Sequence, residues 1–219
     1  MNLLYSGLQR SGTNFLDALI KNNYHVTSLN KEEDKSSPLH KHFRLYDEKD
    51  IVPELSYKNR TQLPDFKSYE QLFDIVPDYY LVIFKDPHSW LLSYKNWAKL
   101  CKWPEVKHHY IEEYNLFYKK WLEFSVQTNK IIFVRYIDLL RNPGDELWRL
   151  YNRMGLEKLC PYLVHTINKV DQSDTFTDDR RTYYLDKKYL EEYTEEELRV
   201  VNDIIDVNVI HSLGYYKRA

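Results

Sequence analysis

Cysteine is scarce in this chain: its 219 residues include only two, Cys101 and Cys160. The pair has none of the spacings by which clustered cysteines bind zinc, so the sequence predicts no metal site built on cysteine. Two widely separated thiols are typical of a reduced, intracellular protein, although the spacing alone is also compatible with one disulfide.

Long apolar runs and an excess of charge of one sign are missing too. The apolar stretch near the N-terminus, Leu3–Tyr5, is far shorter than the core of a signal peptide, and Gly7 follows closely. A formal net charge of −2 gives no general attraction to nucleic acids or anionic membranes. We therefore expect a cytoplasmic protein with no nucleic-acid or membrane partner, in which a local site holds any anion that binds.

What the chain does contain is typical of one globular domain. Apolar residues make up 43% and charged residues 29%, which are ordinary proportions. A chain of 219 residues is long enough to bury one core, so we expect a single domain over residues 1–219.

Alternating strand and helix signals predict the fold class. Strands are predicted where short apolar runs occur, over Asn2–Ser6, Tyr80–Phe84 and Ile131–Val134, with a further short strand over His40–Tyr46. Helices are predicted where a cap or a proline precedes apolar residues at helical spacing, over Gly12–Asn22, over Pro87–Leu100, from Pro104, from Pro143 to Gly155, and after Thr194. The segments Lys31–Pro38 and Lys49–Asp78 are predicted to be irregular. This order favours an α/β fold with a mainly parallel central sheet flanked by helices and ligands at the carboxyl ends of the strands.

The loop Ser6–Asn14 joins the first predicted strand to the first predicted helix. Unpaired N–H groups at a helix N-terminus bind phosphate, glycines let the backbone approach it closely, and Arg10 adds a fixed charge. The loop differs from the GxxxxGK[ST] pattern of P-loop kinases, because Thr13 and Asn14 follow Gly12 where that pattern has lysine and then serine or threonine. The predicted phosphate-binding residues are Gly7, Gln9, Arg10, Ser11, Gly12, Thr13 and Asn14.

A second anion motif follows the central predicted strand. Lys85 ends that strand, and Ser93 comes eight residues later, about two turns into the next helix. A cation and a hydroxyl so placed can hold one anion between them. Asp86 is the only candidate here for a magnesium ligand, and it directly precedes Pro87.

These two motifs, in this order, resemble those of the sulfotransferase family. The loop has the form glycine, two residues, a basic residue, then Ser-Gly-Thr, like the family's 5′-phosphosulfate loop. Lys85 and Ser93 are similar to its 3′-phosphate motif, which usually has arginine at the first position. The stretch Arg135–Pro143 is similar to the family's "RYEDL…NP", with Ile137 where glutamate is common.

The resemblance implies an architecture, a donor and roles for individual residues. It implies a P-loop NTPase-like sulfotransferase fold that uses 3′-phosphoadenosine 5′-phosphosulfate (PAPS), releases 3′,5′-adenosine bisphosphate and needs no metal. Arg10 stands at the family's catalytic lysine position and is expected to stabilise the leaving phosphate. A late basic loop often closes over the nucleotide in this family, which makes Arg181, with Arg180 beside it, a candidate for the 3′-phosphate.

The acceptor hydroxyl or amine needs a general base, and histidine is the natural choice near neutral pH. His42 is the candidate, with His40 next, although Lys41 directly precedes His42 and the family's Lys-x-His spacing differs. Glu48 and Glu54 are alternatives. His88 is interpreted as a helix-start residue, and His108 and His109 as solvated residues of an amphipathic helix.

The sequence thus predicts a PAPS-dependent sulfotransferase with a small-molecule or carbohydrate acceptor, whose identity and whose oligomeric state the sequence leaves open. A P-loop nucleotide kinase is the second hypothesis, disfavoured by the missing lysine. A catalytically silent nucleotide-binding module is the third, since the base rests on the weakest pattern.

Overall fold

The computed structural model describes residues 1–31, 34, 37–45, 60–61, 63–164, 169–171, 174–175 and 178–218. Its strands are β1 (Asn2–Ser6), β2 (Thr27–Ser28), β3 (Arg44–Leu45), β4 (Arg60–Thr61), β5 (Tyr79–Phe84), β6 (Ile131–Arg135), β7 (Lys169–Asp171) and β8 (Asp174–Thr175). Its helices are α1 (Thr13–Asn23), α2 (Phe66–Glu70), α3 (Pro87–Leu100), α4 (Tyr110–Ser125), α5 (Tyr136–Arg141), α6 (Pro143–Met154), α7 (Asp178–Leu185), α8 (Glu195–Ile204) and α9 (Val207–Ser212), with a 3₁₀ helix over Lys188–Glu192.

The central sheet has four parallel strands in the order β2-β1-β5-β6, which confirms the predicted α/β class. The chain passes from β1 to β2 on one side and later places β5 on the other side of β1. The strand order therefore reverses between β1 and β5, and α/β sheets bind ligands outside the carboxyl ends of the strands at such a point. The pairing of Ser6 with Val82 brings the loop after β1 close to Lys85.

Helices cover both faces of the sheet. On one face, α3 and α4 bury an aromatic cluster that includes Trp90, Tyr114, Tyr118 and Trp121. On the other face, α1, α5 and α6 bury mainly aliphatic residues such as Leu16, Leu139 and Leu147. Because both faces are covered, β5 is an unbroken apolar run rather than an alternating one.

Buried tyrosines satisfy carbonyl groups at the carboxyl end of β5. The hydroxyl of Tyr118 donates to the carbonyl oxygen of Ile83 (3.0 Å), and that of Tyr114 donates to the carbonyl oxygen of Lys85 (2.7 Å). The two tyrosines lie one turn apart on α4 and thus fix the end of the strand from one side. Two of the chain's 20 tyrosines therefore hold the end of β5 in place.

Several predicted boundaries are confirmed and others are wrong. Residues Asn2–Ser6 and Pro87–Leu100 form the predicted strand and helix, and Gly155 ends α6 in a left-handed conformation (φ 64°). The helix predicted from Pro104 begins only at Tyr110, because the side chain of His109 caps it in a capping box.

The strand predicted over His40–Tyr46 is also wrong in extent. Within the described part of this segment, turns run to His42 and only Arg44–Leu45 is extended; Tyr46 lies outside the described residues. The segment predicted to be irregular over Lys49–Asp78 contains the short helix α2, and the predicted last helix is followed by α9.

Both cysteines, Cys101 and Cys160, are free thiols. Among the helices of the described residues, none combines the length and the apolar character that spanning a membrane requires.

Candidate functional site

The loop between β1 and α1 is tightly packed against the end of β5. A methyl group added at Gly7 would lie 2.7 Å from the carbonyl oxygen of Ile83, and one added at Gly12 would lie 2.6 Å from the Tyr136 ring. Gly12 also has a φ of 99° and Arg10 a φ of 69°, so the loop turns through the left-handed region twice. Both glycines are therefore required by space, and Gly12 also by conformation.

The N-terminus of α1 has no side-chain cap and no acidic residue in its first turn. Its first N–H groups have no partner within the helix, and their partial positive charge faces the loop. The loop hydroxyl of Ser11 is buried and lies 2.9 Å from the Tyr118 hydroxyl, so it supports the loop. Asn14 accepts a hydrogen bond from Lys41 (2.7 Å), which links this helix end to the His42 segment.

His42 is bonded to the loop backbone. Its Nδ1 lies 2.7 Å from the carbonyl oxygen of Gly7, and because a carbonyl only accepts, Nδ1 carries the proton. The lone pair of the neutral ring therefore lies on Nε2, the atom with which imidazole acts as a base. Burial lowers the pKa of His42 well below its usual value of 6.5, the Gly7 hydrogen bond opposes this, and Arg44, His40 and Lys41 add to the lowering. His42 is consequently neutral at pH 7.

His40 has a supporting position instead. Its side chain is buried, and its Nδ1 accepts the backbone N–H of His42 at 3.2 Å. The two imidazole rings pack edge to face with centroids 5.4 Å apart. Glu48 and Glu54, the alternative bases, lie outside the described residues.

A buried guanidinium that the sequence analysis missed ties these parts together. Arg44 has no exposed surface, and it donates to the carbonyl oxygen of His42 (2.6 Å), to Oε1 of Gln9 (2.8 Å) and to Oε2 of Glu113 (3.2 Å). The other oxygen of Glu113 lies 2.9 Å from Nε2 of His108. We call Arg44, Glu113 and His108 the buried ionic network.

The buried ionic network corrects the interpretation of two histidines. His108 is a buried partner of Glu113 and His109 is the N-cap of α4, so neither is a solvated helix residue. One signal for the network was present in the sequence. Glu113 lies three residues after Tyr110 and four before Phe117, and thus interrupts the apolar face of the helix with a carboxylate.

Lys85 is enclosed by aromatic rings at the end of β5. Only 5% of it is exposed, and its Nζ lies 4.5 Å from the ring centroids of both Tyr136 and Tyr184. Burial lowers the pKa of Lys85, the Tyr184 hydroxyl opposes this, and Arg10 and Arg180 add to the lowering. The electrostatic effect of Arg10 on Lys85 means that the two predicted anion motifs lie close together.

Tyr184 of α7 connects the two members of the second motif. Its hydroxyl accepts a hydrogen bond from Nζ of Lys85 (3.2 Å), and Ser93 acts on the same hydroxyl by lowering its pKa. Burial alone would raise the pKa of Tyr184, but the Lys85 ammonium and the hydrogen bond with Ser93 lower it to about 8. Lys85 and Ser93 thus both act on the Tyr184 phenol.

The other cationic candidates have different surroundings. Arg10 lies with its guanidinium carbon 5.0 Å from the Trp97 ring centroid. Arg181 donates to the carbonyl oxygens of Leu140 (2.6 Å) and Arg141 (3.0 Å), so its side chain caps the end of α5. Arg180, the other candidate of this pair, is the one that acts electrostatically on Lys85.

Asp86 is engaged in structural contacts. Its carboxylate accepts the backbone N–H groups of His88 and Ser89, which caps α3, and it pairs with Arg218 at 2.5 Å. His88 starts the helix, and Trp90 is completely buried, as predicted. Near Asp86 lies a cavity of about 220 Å³ whose walls include Lys85, Tyr184 and Leu185.

No protein-family model matches this chain, and no curated protein gives a significant match to it. In the part of the chain that the structure describes, no three His, Cys, Asp or Glu side chains converge as metal ligands do.

Proposed function

We propose that this protein is a sulfotransferase, which moves a sulfuryl group from PAPS to a hydroxyl or amine of a small-molecule or carbohydrate acceptor in the cytoplasm. The observation that carries the proposal is the uncapped N-terminus of α1 after β1 beside the Lys85 ammonium at the end of β5, with His42 bonded to the loop between β1 and α1. In our proposal the fold is a P-loop NTPase-like sulfotransferase architecture, in which one bisphosphorylated nucleotide spans the point where the strand order reverses.

The loop after β1 suits the 5′-phosphosulfate end of such a nucleotide. The uncapped N-terminus of α1, an 11-residue helix, offers N–H groups to an anion. The Arg10 guanidinium lies 5.0 Å from the Trp97 ring centroid and helps to lower the pKa of Lys85, so it adds positive charge to this region. Charge that develops on the leaving phosphate would be stabilised there by groups already in place.

The end of β5 suits the 3′-phosphate. The Lys85 ammonium and Ser93 both act on the Tyr184 hydroxyl, and Arg180 adds positive charge near Lys85. Lysine offers a compact charge rather than a planar fork, so selectivity between phosphate groups depends on the surrounding side chains.

His42 supplies the base in the proposed reaction. PAPS provides an activated sulfuryl group; the acceptor oxygen forms a bond to its sulfur while the bond from sulfur to the bridging phosphate oxygen breaks. The acceptor proton passes to Nε2 of His42, which its hydrogen bond with Gly7 and its lowered pKa keep unprotonated. Such a positioned base contributes on the order of 10²–10⁴-fold to a rate.

The two alternative functions differ from this one at particular residues. A magnesium-dependent kinase needs a carboxylate for the metal, and Asp86 is committed to α3 and Arg218. A silent nucleotide-binding module would have the same anion sites but would not depend on His42. Substitution of His42 by Gln should therefore abolish most turnover of PAPS in a sulfotransferase and leave nucleotide affinity almost unchanged.

Calorimetric titration of the purified protein tests the proposal first. We expect 3′,5′-adenosine bisphosphate to bind much more tightly than ATP with magnesium. Lys85→Ala should lower the affinity for the bisphosphate about tenfold or more, since a hydrogen bond to a charged group is lost. The affinity for 5′-AMP should remain nearly unchanged. Lys130→Ala is the matched control, because Lys130 pairs with Glu70 near the opposite end of the strands.

Preference for ATP with magnesium would overturn the proposal in favour of a kinase. If Lys85→Ala lowers the affinity for the bisphosphate and for 5′-AMP equally, Lys85 does not bind the 3′-phosphate.

A further inference from the structure

The position between Lys85 and Ser93 is already filled by part of the protein. The Tyr184 hydroxyl accepts a hydrogen bond from Lys85 (3.2 Å), and Ser93 lowers its pKa; Lys85 and Ser93 are the two groups that the proposed function assigns to the 3′-phosphate. A phosphate oxygen bound to Lys85 and Ser93 together would need the place of that hydroxyl. The Tyr184 hydroxyl thus occupies the position that a phosphate oxygen of the ligand would take.

Two aromatic rings cover the ammonium group of Lys85. Lys85 is 5% exposed, and Tyr136 and Tyr184 each place a ring 4.5 Å from Nζ. Tyr136 is also packed against Gly12, since a methyl group at Gly12 would meet its ring at 2.6 Å. Tyr184 is therefore the ring that can give way.

The structure also offers space for that movement. Tyr184, Leu185 and Lys85 line the cavity of about 220 Å³ beside Asp86. Meanwhile Arg181, three residues earlier on α7, is anchored to the Leu140 and Arg141 carbonyl oxygens. A rotation of the Tyr184 side chain can free Lys85 while α7 stays in place.

We propose that Tyr184 is a specificity-determining residue, an internal competitor whose hydroxyl must leave Lys85 and Ser93 before a phosphate binds there. The inference rests on the proposed function for the identity of the ligand. A phosphate dianion replaces the lost contacts with stronger, charge-assisted ones, whereas a nucleotide without a 3′-phosphate leaves the phenol in place. Tyr184 therefore lowers the affinity for every ligand of this position and lets only strongly anionic ones bind.

The test compares Tyr184→Phe with the wild type and with Tyr183→Phe. Both variants keep the aromatic ring and remove one hydroxyl; that of Tyr183 bonds to Glu192 and lies outside the site. Each protein is titrated by calorimetry with 3′,5′-adenosine bisphosphate, with 5′-AMP and with inorganic phosphate.

We expect Tyr184→Phe to bind the bisphosphate and inorganic phosphate about tenfold more tightly, because the competing hydrogen bonds are gone. Affinity for 5′-AMP should not change, and Tyr183→Phe should match the wild type for all three ligands. Weaker or unchanged binding of the bisphosphate and of phosphate in Tyr184→Phe would overturn the inference, since the hydroxyl would then assist the ligand or have no part in binding.

The inorganic phosphate titration separates this inference from the proposed function. If none of the three proteins binds the bisphosphate but Tyr184→Phe gains affinity for phosphate, the assignment of the nucleotide is wrong. The inference that the Tyr184 hydroxyl competes with phosphate is then still supported. If the wild type binds the bisphosphate and Tyr184→Phe gains nothing, the nucleotide assignment stands and the competitor fails. If none of the proteins binds either anion, both are overturned.

Discussion

The two ends of the candidate site are held in different ways. At the β1 end, the loop is joined to the His42 segment and to α3 and α4 by hydrogen bonds from Arg44, Lys41 and Trp90. At the β5 end, the Lys85 ammonium is surrounded by two rings and one phenol hydroxyl. The first end is thus held by hydrogen bonds within the protein, whereas in our proposal the second exchanges an internal partner for a ligand.

This difference fits the different tasks that we propose for the two ends. Groups that stabilise a transition state are most effective when they need no reorganisation, and the β1 end contains both His42 and the loop. Groups that select a ligand can gain discrimination from a contact that the wrong ligand fails to replace. Substitutions at the β1 end should therefore cause the largest losses of stability and of binding.

Among substitutions at the β1 end, Gly12→Ala should have the largest effect on stability and on binding. A side chain at φ 99° is strained, and its Cβ would lie 2.6 Å from the Tyr136 ring. Together these should lower the free energy of unfolding by about 4 kcal/mol and abolish bisphosphate binding. Urea unfolding and calorimetry measure the two effects.

Gly155→Ala is the control for backbone strain alone. Gly155 has a φ of 64°, and nothing lies within 4 Å of a Cβ added there. Gly155→Ala should lower the free energy of unfolding by about 1 kcal/mol and leave bisphosphate binding intact. Equal losses in both variants would mean that the packing of Gly12 on Tyr136 contributes nothing.

Glu113→Gln should have the next largest effect on the free energy of unfolding. It leaves the Arg44 guanidinium buried without its carboxylate, and a broken buried pair costs about 3 kcal/mol. Glu70→Gln removes a carboxylate from a more exposed pair with Lys130 and should cost less than about 1 kcal/mol. Urea unfolding of both variants gives the comparison; similar losses would show that the buried ionic network is no more important to stability than a surface pair.

The smallest expected effect concerns the pH dependence of His42. Because its pKa in the folded protein lies below the usual 6.5, the unfolded chain binds more protons between these two values. The free energy of unfolding should therefore rise with pH through this window, and His42→Gln should make that rise shallower. His211→Gln, at an exposed position of α9, is the control.

Measurements of unfolding at pH 5, 6 and 7 test this sign. A direct NMR titration of the imidazole should place the His42 midpoint below 6.5, and a midpoint above 6.5 would contradict the assignment. If His42 is the base, turnover should fall only as the pH drops through that lower midpoint.

The parts of the site that could be predicted are those with a local signal. The positions of β1, β5 and α3 and the anion motifs beside them depend on apolar runs, capping residues and spacing, all of which lie within a few residues along the chain. The start of α4 was predicted wrongly because Pro104 is a common first helical residue, while the capping box of His109 with Glu112 decided the actual start.

The sequence by itself determined the α/β class, the loop chemistry of Gly7–Asn14 and the eight-residue step from Lys85 to Ser93. Only the tertiary structure decided what these groups contact. Arg44 meets Glu113 across 69 positions of the chain, and Lys85 meets Tyr184 across 99. Such contacts depend on how strands and helices pack, and no periodicity or spacing within one segment records which distant side chain packing brings to a buried charge.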